Sequence, residues 1–199
     1  MPTATQETIA DHAVADDAQA LAEKLEAIPF DDSRVVKYPD LVLRQVADAI
    51  TPADLPGLQP LIDEMGQIMQ SAHGVGLAAP QVGRSVRLFV YDVGDGLQAL
   101  VNPVILKKKG EQIEPEEGCL SIPGLRGVVK RADEITVKAL DREGRPMRFR
   151  AFDFEARVIQ HELDHLNGIL FIDHADPATL HMVGEGDDER GEGGNAPAE

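Results

Sequence analysis

Two histidines and a glutamate in QHELDHLNG, residues 160–168, form the pattern in this chain best suited to chemistry. His161 and His165 are four residues apart, so on an α-helix both imidazoles lie on one face and can bind one metal ion. Glu162 is rotated by roughly 100° from His161, so it does not easily become a third ligand, but it can reach a water on the ion. The pattern indicates two metal ligands beside a general base. The alternative is two ordinary hydrogen-bonded histidines, although the apolar surroundings make unpaired imidazoles costly.

A catalytic metal site usually has three protein ligands and one open position, so a further ligand is needed. The downstream candidates are His174, His181, Asp173 and Asp176, and none has the spacing of the extended metalloprotease motif. The upstream candidate is Cys119 in EEGCLSIPG, the single cysteine of the sequence. A lone cysteine is often a small buried hydrophobe. The preceding glycine and the Pro-Gly that ends the stretch favour a backbone shaped to present its side chain.

A third unusual stretch is GVGLAAPQVG, residues 74–83. Its glycines do not have the spacing of a dinucleotide-binding fingerprint. Such small residues indicate instead that the backbone of a ligand approaches closely. The amide of Gln81 can donate a hydrogen bond there, or Gln81 is simply a glutamine in a surface turn.

The elements that must position these residues are two helices and a set of strands. Apolar spacing predicts an amphipathic helix over residues 57–72 and a second helix over 154–166, which carries both histidines. Asp153 is the expected N-cap of the second helix, and Gly168 is its expected stop signal. Strand-type composition covers residues 85–94, 98–110 with an interruption at Pro103, and 134–152 as two strands around a turn at 141–146. The order predicts a single α+β domain, with antiparallel sheets wrapped around a central metal-binding helix.

Charge is distributed unevenly along the 199 residues. The formal net charge is −16, of which residues 1–34 contribute −6 and residues 185–199 contribute −5. This acidity argues against binding nucleic acid through phosphate neutralisation. The basic run Lys107–Lys109 is more typical of a solvated turn or an edge strand.

Composition also predicts the limits of the domain. We expect residues 1–32 to be an N-terminal extension, partly disordered with a short helix at 18–28, and residues 184–199 to be a disordered acidic tail. The domain then spans residues 33–183. One cysteine excludes a disulfide within the chain. The beginning of the sequence lacks the features of a signal peptide, and no apolar run reaches the length of a bilayer span, so a soluble cytoplasmic protein is expected.

Taken together, the three motifs resemble those of peptide deformylases, a family recognised by GxGLAAxQ, EGCLS and QHExDHL in this order. The corresponding stretches here are GVGLAAPQ at 74–81, EGCLS at 117–121 and QHELDHL at 160–166, and KYPDLVLRQV at 37–46 resembles the N-terminal segment of the family. The likeness covers roughly residues 33–175. It implies an enzyme that removes the formyl group from the N-terminal formyl-methionine of nascent polypeptides, by attack of metal-bound hydroxide.

The resemblance also implies the roles of individual residues. Cys119, His161 and His165 would hold the metal, with a water in the fourth position, and Glu162 would act as general acid and base. Gln81 and the backbone N–H of Leu120 would stabilise the oxyanion.

For the substrate, the resemblance implies that Gly76 pairs with the peptide backbone, which would lie like an added strand. Val75 and Val158 are next to the motifs, and we interpret them as walls of an apolar pocket for the methionine side chain.

The resemblance implies Fe²⁺ as the working ion, with Zn²⁺, Ni²⁺ or Co²⁺ in preparations, although zinc also suits these ligand types. Many deformylases continue into a basic C-terminal helix that in some members contacts the ribosome. Here Asp176-Pro177 and an acidic tail follow instead, which argues against ribosome docking by that route. Two other functions stay open: a metallopeptidase that uses the same helix, and a structural metal site, which would need a fourth protein ligand.

Overall fold

The computed structural model describes residues 31–112 and 116–183. This part of the chain forms an α+β domain with helices α1 (Leu55–Ser71) and α2 (Asp153–Leu166), together with several short 3-10 turns. Its strands are β1 (Gly76–Ala78), β2 (Leu88–Tyr91), β3 (Gln98–Lys109), β4 (Glu116–Cys119), β5 (Ile122–Val128), β6 (Glu134–Leu140), β7 (Pro146–Phe152) and β8 (His181–Met182). Neither helix has the length and apolar character that crossing a bilayer requires.

The strands form two antiparallel sheets around α2. One sheet has the order β1-β2-β3-β6-β7, and the other has the order β4-β5-β8. Successive strand residues point to opposite faces, and in β2 both faces are buried: Leu88 and Val90 pack in the cluster of α1, and Phe89 and Tyr91 pack in the cluster of α2. The first sheet therefore lies between the two helices at this point, and α2 is enclosed as the sequence predicts.

Most of the predicted elements are present with shifted ends. The helix predicted at 57–72 is α1, the strand at 85–94 is the shorter β2, and the two strands in 134–152 are β6 and β7. The strand at 98–110 is one strand, β3, whose pairing with β6 shifts register between Val101 and Val104, around Pro103. The short helix predicted at 18–28 and the acidic tail lie outside the described residues.

The predicted N-cap of α2 is wrong. Phe152 occupies the cap position, and no side chain caps the helix. Asp153 is instead the first helical residue, with φ of 46°, and its backbone N–H donates to the carbonyl of Asp133 at 2.8 Å. That left-handed turn lets the chain pass directly from β7 into α2. The predicted stop is confirmed, because Gly168 has φ of 72° just past the helix and its N–H donates to the carbonyl of His165.

Candidate metal centre

Three side chains from distant parts of the chain converge beside α2. His161 and His165 project from one face of this helix, one turn apart, and Cys119 projects from the end of β4. Their ligand atoms all lie within 4.8 Å of one another, and Cys119 Sγ is 3.3 Å from His165 Nε2. The third member of the group is therefore the upstream cysteine.

The geometry and the donor chemistry both fit a divalent transition metal. Tetrahedral bonds of about 2.0–2.3 Å place neighbouring ligand atoms roughly 3.3–3.8 Å apart, so the observed separations need only a small closure of the group. One thiolate with two imidazoles suits zinc and iron rather than magnesium or calcium. The adjacent His165 and His161 hold the pKa of the Cys119 thiol well below its usual value, although burial alone would raise it. The thiolate is the form that binds metals.

His161 is held in one tautomer by Glu117. Its Nδ1 lies 2.9 Å from Glu117 Oε2, and since a carboxylate only accepts, Nδ1 carries a proton and Nε2 is the ring nitrogen left to bind an ion. Glu117 is itself bound by two buried arginines: Arg131 donates to both carboxylate oxygens at 2.8 and 3.0 Å, and Arg157 donates to one at 2.6 Å. Burial alone would raise the pKa of Glu117, but His161 and Arg131 lower it far below its usual value. This is the carboxylate–histidine support that metal ligands commonly have.

Glu162 lies buried beside the group, with 4% of its surface exposed. Burial raises the pKa of its carboxyl to about 7. Its Oε2 has no hydrogen-bond partner among the described residues. An isolated carboxyl group of this kind is costly to bury unless it serves chemistry next to it.

Gly76 provides the space for Glu162. A Cβ at position 76 would lie only 2.8 Å from Glu162 Cδ, closer than real contacts allow. The sequence pattern predicts a glycine that lets a ligand approach, and the structure adds that the neighbour filling this space is the protein's own carboxylate. Position 76 lies in β1, the strand at the edge of its sheet.

Gln81 is buried, with 2% exposed, so it is not a surface turn residue. Its Oε1 accepts the backbone N–H of Ala78 at 2.8 Å, which fixes which end of the amide is the donor. Its Nε2 donates to Ser121 Oγ at 3.2 Å and lies 3.5 Å from Cys119 Sγ. The amide donor therefore points to the edge of the metal group.

The remaining candidates lie around the same centre. Leu120 follows Cys119, its side chain lies close to Gly74, and its carbonyl accepts from Lys37 Nζ at 3.1 Å. Val158, one turn before His161, and the partly buried Val75 belong to one apolar cluster. The sequence segments at 37–46, 74–83 and 117–121 thus meet around the metal group.

The downstream alternatives are used elsewhere in the structure. His174 pairs with Asp164 at 3.3 Å, Asp173 pairs with Arg44, and Asp176 accepts from the N–H of Ala178 at the start of a short turn. His181 is exposed. None of these four belongs to the candidate metal group.

Sequence reasoning missed Glu117, Arg131 and Arg157. Glu117 stands two residues before Cys119. Residues two apart on a strand lie on the same side, so the sequence did contain a signal that Glu117 is near the site. The arginines carry no such signal, because they reach Glu117 from separate segments and only the fold brings them together.

This chain is similar to known proteins over most of its length. The family model described as polypeptide deformylase matches residues 33–180. A peptide deformylase of Halothermothrix orenii is 52% identical over 142 residues, which are 70% of this chain and 91% of the relative. A related deformylase of Syntrophomonas wolfei is 47% identical over 142 residues, covering 71% and 92%.

Solved structures show the same fold. The crystal structure of peptide deformylase from Thermotoga maritima has a TM-score of 0.69 and 44% identity, covering 72% of this chain and 97% of that one. A Met-Ala-Ser-bound structure of a class I type b peptide deformylase from Acinetobacter baumannii has a TM-score of 0.67 and 36% identity, covering 74% and 98%.

Proposed function

The chain belongs to the polypeptide deformylase family, and from this premise we propose that it removes the formyl group from the N-terminal formyl-methionine of nascent polypeptides. The observation that carries the proposal is the convergence of Cys119, His161 and His165 next to the buried Glu162. With three ligands from the described residues, the group matches a catalytic site better than a structural one, which has four. The third ligand is a cysteine rather than a downstream histidine or acid, which weighs against the metallopeptidase alternative.

Cys119, His161 and His165 would hold one divalent ion. When bound, the ion lowers the pKa of a water and polarises the formyl oxygen. In keeping with the resemblance, we assign Fe²⁺ as the ion in the cell, with Zn²⁺, Ni²⁺ or Co²⁺ replacing it in preparations. Glu117 would keep His161 in the tautomer that leaves Nε2 free for the ion.

Glu162 would move the proton. Its carboxylate accepts a proton from the attacking water as an O–C bond forms at the formyl carbon, and it gives that proton to the amine as the C–N bond breaks. The products are formate and a free N-terminal methionine. The position of Glu162 one residue after His161 on α2, with an unpaired oxygen, supports this role.

Gln81 and Leu120 would stabilise the negative charge that develops on the formyl oxygen. The Gln81 amide is already oriented by its bond from Ala78, so its donor needs little reorganisation. The backbone N–H of Leu120, next to Cys119, would be the second donor.

The substrate would bind along β1. This strand lies at the edge of its sheet, so an extended peptide can pair with it at Gly76. The methionine side chain would enter an apolar pocket bounded by Val75 and Val158, which share one cluster. The Acinetobacter relative was solved with Met-Ala-Ser, the product expected from formyl-Met-Ala-Ser. Because nascent polypeptides are the proposed substrates, we also propose a cytoplasmic location.

An anaerobic assay on formyl-Met-Ala-Ser, with the bound metal quantified in the same sample, tests the reaction. Release of formate is expected from the formyl peptide, whereas neither acetyl-Met-Ala-Ser nor the internal peptide bonds of a longer peptide should be cleaved. Hydrolysis of an internal peptide bond would make the protein a metallopeptidase and would reject the proposal.

Replacing the proposed base tests the mechanism separately. Glu162→Gln should lower kcat by about 10²–10⁴-fold while the metal content stays unchanged, because the amide cannot carry the proton. Glu155→Gln, on the same helix and hydrogen-bonded to Tyr91 at 3.0 Å, is the matched control and should keep full activity. Unimpaired turnover in Glu162→Gln would show that another group is the base.

A further inference from the structure

The outer face of the larger sheet collects basic side chains from three strands. Pairing between β3, β6 and β7 aligns three rows across this face. The other face of β6 carries Ile135, Val137 and Ala139, which are buried. The rows are Val104–Lys138–Arg148, Lys107–Thr136–Arg150 and Lys109–Glu134–Phe152. Directly opposed residues share a face, so these nine residues define one surface, here called the basic sheet face.

The basic sheet face has five cations and a single carboxylate. Glu134 pairs with Lys109 at 3.2 Å and with Arg150 at 2.6 Å. Lys138 and Arg148 are direct cross-strand neighbours of like charge, an arrangement that destabilises a sheet. In residues 31–112 and 116–183, no ion pair offsets either of them. A positive surface maintained at this energetic cost indicates a negatively charged partner.

An aromatic ring lies at the margin of the same face. Phe152 is 47% exposed, and the guanidinium of Arg150 lies 4.8 Å from the centre of its ring. A ring beside cations offers a stacking platform for a nucleic-acid base, which an acidic protein partner does not need. The pair therefore favours nucleic acid over an acidic polypeptide.

The overall acidity of the chain does not oppose this at short range. Of the net charge of −16, −11 belongs to residues 1–34 and 185–199, which lie largely outside the described part. Charges more than about 8 Å apart are largely screened at physiological ionic strength. Within that distance the described charges on the basic sheet face are five cations and one carboxylate, so the local field there is positive.

We propose that the basic sheet face binds RNA without sequence specificity, with its lysines and arginines on backbone phosphates and Phe152 stacked on a base. Residues two apart on a strand are about 6.6 Å apart, so Arg148 and Arg150 can each contact a different phosphate. This face is on the side of the sheet away from α2, so RNA bound there leaves the metal centre open. The inference goes beyond deformylation and is independent of it.

Fluorescence anisotropy of the full-length protein with a labelled 20-nucleotide poly(U) RNA, over a range of salt concentrations, tests the proposal. In the double variant Lys138→Glu/Arg148→Glu, two like charges still face each other across the strands. The repulsion between them therefore destabilises the sheet as much as it does in the unmodified protein. The double variant should bind at least tenfold more weakly at low salt, and the slope of log K against log salt should flatten by about 1.4, since two phosphate contacts are lost. Phe152→Leu should weaken binding about fivefold or more with an unchanged slope.

The control Arg34→Glu/Arg84→Glu changes the net charge by the same amount at two residues outside β3, β6 and β7. It should bind RNA like the unmodified protein. The proposal is overturned by equal weakening in the two double variants, by an absence of binding at low salt, or by poly-glutamate binding as tightly as RNA. Activity on a formylated tripeptide, measured in the same variants, should stay unchanged, so failure here is separable from failure of the proposed reaction.

Discussion

At the residue scale, the site depends on the absence of a side chain at Gly76, which leaves room for Glu162. The carboxyl of Glu162 occupies the space in which any side chain at position 76 would have to lie. The backbones of β1 and of this part of α2 are buried, so a Cβ at position 76 would shift the Glu162 side chain rather than the backbone. The glycine is thus needed by the proposed base itself as well as by the proposed substrate backbone.

Gly76→Ala should therefore displace Glu162 and lower kcat/KM on formyl-Met-Ala-Ser by about 100-fold or more, since small misplacements of catalytic groups have effects of this size. Steady-state kinetics with metal quantification would measure it. Gly57→Ala is the control: its Cβ would meet nothing within 4 Å, and it lies in helix α1. Equal activity in the two variants would contradict the proposed steric role.

At the element scale, Glu117 fastens β4 to α2. It accepts from His161 of the helix and from Arg131 and Arg157, while Arg131 also donates to Asp164 of the helix at 2.5 Å. The strand that carries Cys119 and the helix that carries the histidines are thus joined by buried ionic contacts. Removing one charge from such a group leaves the others uncompensated.

Glu117→Gln should lower the free energy of unfolding by about 3–5 kcal/mol and weaken metal binding by about 10–100-fold. Urea denaturation of the metal-free protein measures the first effect, and competition with a chelator measures the second. Glu116→Gln, at the exposed neighbouring position, should change neither quantity. A variant at 117 with unaltered metal affinity would show that this carboxylate does not support His161.

At the scale of the whole molecule, the spacing of apolar residues predicted the elements that are long enough to show a local pattern. The amphipathic α1, the helix that carries both histidines and the β6–β7 hairpin follow from local pattern. The short strands β1, β4 and β8 do not, because two to four residues give no usable period and pairing partners far along the chain define them. The start of α2 was misjudged because the contact of Asp153 with Asp133 outweighed its capping preference.

The same distinction applies to the site. The motifs identified Cys119, His161 and His165 because their residue types report chemistry directly, and the structure brings them together. The buried arginines and the basic sheet face could not be inferred from the sequence, since each is assembled from segments that only the sheet register aligns. The run Lys107–Lys109 does lie at an edge, as expected, because that end of β3 pairs with β6 alone.

The domain limits at 33 and 183 remain a prediction, and the C-terminal limit can be tested by deletion. A chain lacking residues 184–199 has a net charge of −11 instead of −16. It should keep kcat/KM within about twofold on formyl-Met-Ala-Ser, because the proposed ligands, base and oxyanion donors all precede residue 184 and surface charge acts mainly on association. A tenfold loss would place part of the catalytic unit in the tail.

X-ray absorption spectroscopy of the zinc-loaded protein tests whether one thiolate and two imidazoles hold a metal with a position left for water. We expect one sulfur at about 2.3 Å and two imidazole nitrogens with one oxygen at about 2.0–2.1 Å, and the sulfur contribution should vanish in Cys119→Ser. A spectrum without sulfur, or one that Cys119→Ser leaves unchanged, would show that Cys119 does not bind the metal.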